Sequence, residues 1–253
     1  MLLVAACGGK RSDSDTAETS IGTSTSIEGD STLYGLACEG CSDSVVVLLP
    51  GDGSDPVTYD IIDAMKAGRV AGRLETGCWI CLMLDPEDST KVRSVINLDE
   101  LKGTWVQMVR PTLRQRIVDV DADEQSRARR DSVINELLQP MEIGFAIKRH
   151  YTAEPVGMRR QDADNGPVVY PTPKMYTSWH VFNGRVVLIE GRAPVVTVDS
   201  LVVSTDTTAV AETTLSNDTV EVLLLTRDSL SLRFNDGTVN GYRRKTSDSS
   251  ENE

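Results

Sequence analysis

The residues best able to do chemistry in this chain are its five cysteines. Four of them form two C-x-x-C pairs, Cys38-Glu39-Gly40-Cys41 and Cys78-Trp79-Ile80-Cys81. Four thiolates at such spacings can converge on one tetrahedral zinc ion. The same four can form disulfides, which an oxidising compartment favours, or stay as buried free thiols. Cys78 and Cys81 fall inside a strand-like run, where positions i and i+3 point to opposite faces. That suits a zinc knuckle poorly. Neither pair stands at a strand-to-helix junction, so a thioredoxin-type role is not expected. Three readings stay open at Cys38, Cys41, Cys78 and Cys81: a disulfide stapling paired strands, free thiols, or zinc.

The fifth cysteine has a different setting. Val4-Ala5-Ala6-Cys7 resembles a bacterial lipobox, in which the Cys sulfur receives a diacylglyceryl group and the leader is cut just before it. The small Ala5 and Ala6 let a peptidase approach the backbone. The apolar core before them is short and lacks the usual basic start. From Gly8 to Asp30 the chain is almost entirely Gly, Ser, Thr, Asp, Glu and Ala, a composition that cannot bury a core. Leader, Cys7 and polar tether together predict an exported lipoprotein held to a membrane by lipid on Cys7, in the cell envelope and at the outer membrane.

The remaining candidates are weaker. His150 and His180 are the only histidines, and neither has carboxylate or His partners at metal-ligand or acid–base spacing. Asp119, Asp121, Asp123 and Glu124 superficially resemble a calcium loop but lack its central Gly and closing Glu. They read instead as acidic residues favoured at a helix N-terminus. The sequence holds no Gly-x-Ser-x-Gly, phosphate loop or His-Glu-x-x-His, so no enzyme activity, metal or cofactor is expected. A net charge of -12 argues against nucleic acid, which needs clustered cations.

The elements that must position these residues read as mainly β. Val45 to Leu49 is a buried strand ended by Pro50-Gly51-Asp52-Gly53. Asp55-Pro56 opens a predicted helix carrying Tyr59, Ile62 and Met65, stopped at Gly68. Val70 to Leu74, Cys78 to Leu84 and Val92 to Ile96 are further strands. A second series begins at Gly103-Thr104-Trp105-Val106. It continues through 143–147, 176–182, 185–190, 195–203, 219–226 and 229–234, with Asn183-Gly184 as a two-residue hairpin turn. Several short strands at near-regular spacing predict an antiparallel barrel or sandwich. Between them Asp121 to Leu138 reads as a helix with a stripe of Val133, Ile134, Leu137 and Leu138. The strands at 185–190 and 219–226 are apolar on both faces for part of their length, so the helix is expected to cover them. Met158 to Pro173 reads as a long loop.

The second series resembles the lipocalin-like domains of Bacteroidetes lipoproteins. The resemblance rests on Leu101-Lys102-Gly103-Thr104-Trp105, Gly144-Phe145-Ala146-Ile147, Tyr176-Thr177-Ser178-Trp179 and Gly184-Arg185-Val186-Val187-Leu188. It continues in Asp218-Thr219-Val220-Glu221-Val222 and in 225–232. It covers about 101–245, interrupted by the helical insert and the long loop. Leu33 to Asn97 is similar to the modules that precede such domains. The expected organisation is a signal remnant and tether over 1–30, a small β-rich module with one helix over 31–98, a lipocalin-like barrel over 99–245 with its insert near 121–138, and a disordered tail over 246–253. Trp105 and Trp179 are expected in the barrel core. The lipobox, the tether, the strand series and the absence of catalytic motifs together predict a non-enzymatic binding or interaction module for a small apolar ligand. The rivals are a structural accessory subunit of an outer-membrane complex and a thiol-dependent enzyme.

Overall fold

The computed structural model describes residues 28–114, 123–157, 168–191 and 216–246. Cys7 and the tether before residue 28, Asp119 and Asp121, residues 158–167 of the expected loop, the strand expected at 195–203, and the tail after 246 lie outside the described residues.

A short helix connects the two larger sheets in sequence. The first has six strands in the order β3-β2-β1-β5-β6-β4. They are β1 (Leu33–Ala37), β2 (Val45–Pro50), β3 (Val57–Asp60), β4 (Val70–Ala71), β5 (Trp79–Leu84) and β6 (Val92–Asn97). The β-branched run of β2 fits a half-buried pleat and pairs with β1 on one side and β3 on the other. One face buries Ala37, Leu48, Ile80, Leu82 and Val95 against Ile61 and Ala64. The opposite face presents Tyr34, Cys81 and Ile96 to the second sheet, whose core they join.

The helix expected from Asp55-Pro56 forms only in part. Val57, Thr58 and Tyr59 are β-branched or aromatic and extend as β3, whose edge pairing with β2 outweighs their helical spacing. The Asp60 carboxylate then accepts from the Ile62 N–H at 2.8 Å, and α1 runs only over Ile62–Lys66. The strand expected over 70–74 shrinks to Val70–Ala71, which pairs in parallel with β6. There Gly72 takes a positive φ and ends the pairing.

The second sheet has eight antiparallel strands in the order β10-β9-β7-β16-β15-β14-β13-β12. They are β7 (Gly103–Val109), β9 (Met141–Ile147), β10 (Ala153–Val156), β12 (Tyr176–Phe182), β13 (Arg185–Glu190), β14 (Asn217–Leu225), β15 (Ser229–Phe234) and β16 (Val239–Arg244). Its edges meet where Thr152 bridges Ser178 and the Trp179 N–H donates to the Tyr151 carbonyl at 2.9 Å. The result is a nearly closed barrel. A separate ribbon pairs β8 (Thr112–Leu113) with β11 (Val168–Val169). Between the two sheets, α2 (Leu98–Leu101) is capped by Asn97, which accepts from the Glu100 N–H at 2.9 Å. Its buried Leu98 and Leu101 enter the barrel core.

Two expectations about faces need correction. By period two, Val220, Val222 and Leu224 of β14 (Asn217–Leu225) should share one face. A bulge at Leu223 shifts the ladder so that Leu225 joins Val220 and Val222 inside, while Leu224 turns out at 49% exposure. The helical insert forms as α3 (Glu124–Leu137), with Asp123 capping it by accepting from the Ser126 N–H at 3.0 Å. Among the described residues it does not pack extensively on the barrel strands. Its apolar residues gather in the last turns, where Val133 stays exposed and Ile134 and Leu137 are only half-buried, so it has no continuous face to dock.

Candidate binding site at the barrel mouth

The barrel is filled at one end and hollow at the other. Where β7 leaves α2, Trp105 is fully buried and its indole N–H donates to the Leu101 carbonyl at 2.8 Å. The Arg244 guanidinium lies 4.2 Å from the centroid of the Trp105 ring. It donates to the carbonyls of Glu100, Lys102 and Arg227, so β16 is tied to α2 across this end. Trp179 is 2% exposed, and its indole N–H donates to the Lys148 carbonyl at 2.9 Å. These buried groups pack that half of the barrel.

At the other end lies a cavity of about 440 Å³. Its floor is an aromatic cluster. Phe145 meets Tyr176 edge-on with centroids 5.5 Å apart, and Tyr242 at 5.1 Å. Phe234 and Gln107 line the walls, and Lys174, Asp218, Asp236, Thr238 and Asn240 ring the opening. Strand alternation places these side chains. In β16, Asn240 and Tyr242 point inward with Arg244, while Val239 is exposed. Gly144 lets β9 approach β7 here, because a Cβ would collide with the Trp105 carbonyl.

The rim is polar and tied together. The Tyr176 hydroxyl donates to Asp218 Oδ2 at 2.5 Å, and Lys174 Nζ reaches Asp218 at 3.3 Å and Glu190 at 3.2 Å. Burial, and then the charge and hydrogen bond of Asp218, push the Tyr176 hydroxyl well above the usual phenol range, so it stays a donor. For Lys174, burial works against the charged form, but Glu190 and Asp218 outweigh it and hold the ammonium above its usual range. An apolar body can lie on the aromatic floor while polar groups meet Gln107, Asn240 and the rim.

The residues singled out by sequence lie elsewhere. Cys38, Cys41, Cys78 and Cys81 are all free thiols. Cys41 and Cys78 pack on the α1 face of the first sheet. Cys81, 1% exposed, lies on the opposite face, where burial pushes its thiol up to about 12. The sheet therefore separates Cys78 from Cys81. Among the described residues no three His, Cys, Asp or Glu side chains are grouped to hold a metal. His180 sits on β12, outside the cavity, where burial lowers its pKa against the opposing pull of Asp30. His150 is exposed in a left-handed turn with Tyr151.

Sequence reasoning missed β16 and with it Asn240, Tyr242 and Arg244. The signal was present: the Asn235-Asp236-Gly237 turn is followed by a strand with Asn240, Tyr242 and Arg244 two residues apart. Lys174 fell within a stretch read as loop, and no local pattern marked it. No protein-family model, no curated protein and no solved structure matches this chain. Fold and site define its class by geometry: a mainly β chain with a nearly closed antiparallel barrel, sealed at one end and hollow at the other.

Proposed function

We propose that this chain is a lipid-anchored lipoprotein of the cell envelope, whose barrel is a lipocalin-like, non-catalytic binding module for a small ligand with an apolar body. The cavity over Phe145, Tyr176 and Tyr242 carries this reading. Its volume of about 440 Å³ falls in the range of small-molecule sites, and such sites pair an apolar lining with a few placed polar groups. Val4-Ala5-Ala6-Cys7 and the polar stretch behind it support the anchor.

The test is titration of the protein with N-phenyl-1-naphthylamine, an apolar dye that brightens on leaving water. Saturable one-site binding is expected, and Asn240→Trp, which fills the cavity from β16, should weaken it about tenfold or more. Binding that does not saturate, or that is indifferent to Asn240→Trp in a variant of unchanged melting temperature, would remove the basis for the reading. For the anchor, Cys7→Ala behind an intact leader should leave the protein unprocessed or free of the membrane. Membrane association that survives this change and leader removal would refute it.

A further inference from the structure

A second cleft, of about 400 Å³, opens where the two sheets meet on the outside of the barrel. It is lined by four arginines and one glutamate: Arg69, Arg93, Arg185, Arg233 and Glu221. This is anomalous for the chain, in which 38 acidic residues outnumber 26 basic ones. The arginines come from four separate segments. Arg69 stands in the turn before β4, Arg93 on β6, Arg185 on β13 and Arg233 on β15. Register explains half of the cluster. Glu221 pairs with Arg233, and one step beyond the Val186–Val220 pair it also faces Arg185. All three point outward, since Val186, Val220 and Leu232 on the same strands point into the core. Glu221 accepts from Arg233 at 3.1 Å. Arg69, Arg93 and Arg185 have no ion-pair partner among the described residues.

The opposite wall is equally fixed. The Val95 N–H donates to the Arg69 carbonyl at 3.0 Å, which holds the Arg69 backbone beside the strand of Arg93. The hairpin tip at Gly184 is wedged against Met83 and Ser94 so closely that a Cβ on Gly184 would collide with the Met83 side chain. The cleft is thus bounded by strands and a docked turn, which fix the backbone from which its four exposed arginines reach into it. Guanidinium forks match the oxygens of a phosphate two at a time, and several of them around one pocket select a doubly charged or paired anion.

We propose that this cleft is a binding site for a phosphate-bearing ligand, held by Arg93, Arg185 and Arg69 with Arg233 as a fourth donor. The site is separate from the barrel cavity and does not depend on what that cavity holds. A phosphorylated lipid headgroup and a soluble phosphate ester present the same chemistry to it.

The full-length chain titrated calorimetrically with inorganic pyrophosphate should give a saturable isotherm that weakens as salt rises. The double variant Arg93→Gln, Arg185→Gln should bind about tenfold more weakly or worse, because two charge-assisted forks are lost. Arg110→Gln with Arg149→Gln, which changes the net charge equally outside the cleft, should keep the wild-type affinity. Pyrophosphate should also shield Arg93 and Arg185 of the unaltered protein from phenylglyoxal, read by mass spectrometry, which needs no variant to fold. Vesicles of phosphatidic acid in phosphatidylcholine divide the sources. Capture that is lost in the Arg93, Arg185 variant assigns a lipid phosphate, and pyrophosphate binding without vesicle capture assigns a soluble one. No saturable heat up to about 10 mM, equal loss in both double variants, or unprotected arginines overturns the proposal.

Discussion

Replacing Arg244 with alanine should unfasten the sealed end of the barrel. Its guanidinium donates to two part-buried carbonyls, Lys102 at 2.6 Å and Glu100, to the more exposed Arg227 carbonyl, and lies 4.2 Å from the Trp105 ring. A charge-assisted hydrogen bond is worth about 1.5–3 kcal/mol net, and the half-buried setting argues for the low end, about 1.5 kcal/mol for each of the two shielded bonds. The exposed bond adds little, and the ring contact adds about 0.5–1 kcal/mol. The loss should come to about 3–4 kcal/mol, and the melting temperature should fall by about 10 °C for a chain of this size. Urea unfolding followed by tryptophan fluorescence reads it directly, because Trp105 loses its stacked partner. Arg244→Lys keeps the charge but not the planar fork, so it should recover less than half of the difference. A loss below about 1 kcal/mol, or full recovery by lysine, would refute the view that the fork fastens α2 to β16.

Three further outcomes follow from the geometry. Burial raises the Asp30 carboxyl, but hydrogen bonds from Thr32, Asn183 and Tyr34 outweigh it and hold its pKa below the usual range; its stabilising effect is therefore complete above about pH 4 and drains as pH falls through the depressed value. Asp30→Asn should flatten that acid limb in pH-dependent unfolding, and an unchanged limb would count against the assignment. Burial pushes the Cys81 thiol up to about 12, so iodoacetamide at mildly alkaline pH should label Cys38 in the native protein and Cys81 only after unfolding; equal labelling rates would contradict the packing. Gly144→Ala should cost about 3 kcal/mol or more in denaturant unfolding, because a Cβ there meets backbone that cannot rotate away, and a cost near zero would show that β7 and β9 can part.

Much of the barrel was legible because its strands obey a simple alternation. In β15, Leu230 and Leu232 fall inside and Ser229 and Ser231 do not, as period two requires. The Asn183-Gly184 turn was legible because both residues must adopt positive φ, and these two types tolerate it. What escaped reading was decided by partners distant in the chain. Val57 to Asp60 carry helical spacing and Pro56 precedes them, yet the free edge of β2 claims them. The bulge at Leu223 has no local sign, since either register of a run of leucines buries one. The cavity was the least legible part. Its floor and rim come from β9, β12, β14 and β16 with Lys174, and only closure of the sheet brings Phe145, Tyr176, Asp218 and Tyr242 together. The arginine cleft is assembled in the same way from both sheets, so the sequence showed only an acidic chain.

The hairpin tip at Asn183 is clasped by Asp30, Ser31 and Tyr34. Asp30 Oδ1 accepts from the Asn183 N–H at 2.8 Å, the Ser31 N–H donates to Asn183 Oδ1 at 3.0 Å, and the Tyr34 hydroxyl donates to the Val181 carbonyl at 3.0 Å. The first of these joins residues 153 apart in sequence. Such a clasp fixes an order of events. The first sheet can pair its strands from neighbouring segments, but its barrel-facing side, with Tyr34 and Cys81, stays uncovered until β12 and β13 exist. At ribosomal rates of about 5–20 residues per second, that wait lasts roughly 10–30 s. A face of buried thiol and aromatic side chains thus stands open to water through much of synthesis. Closing so long a loop makes the final docking slow, as high contact order does in general. The step that completes the native state is also the one that hides this face.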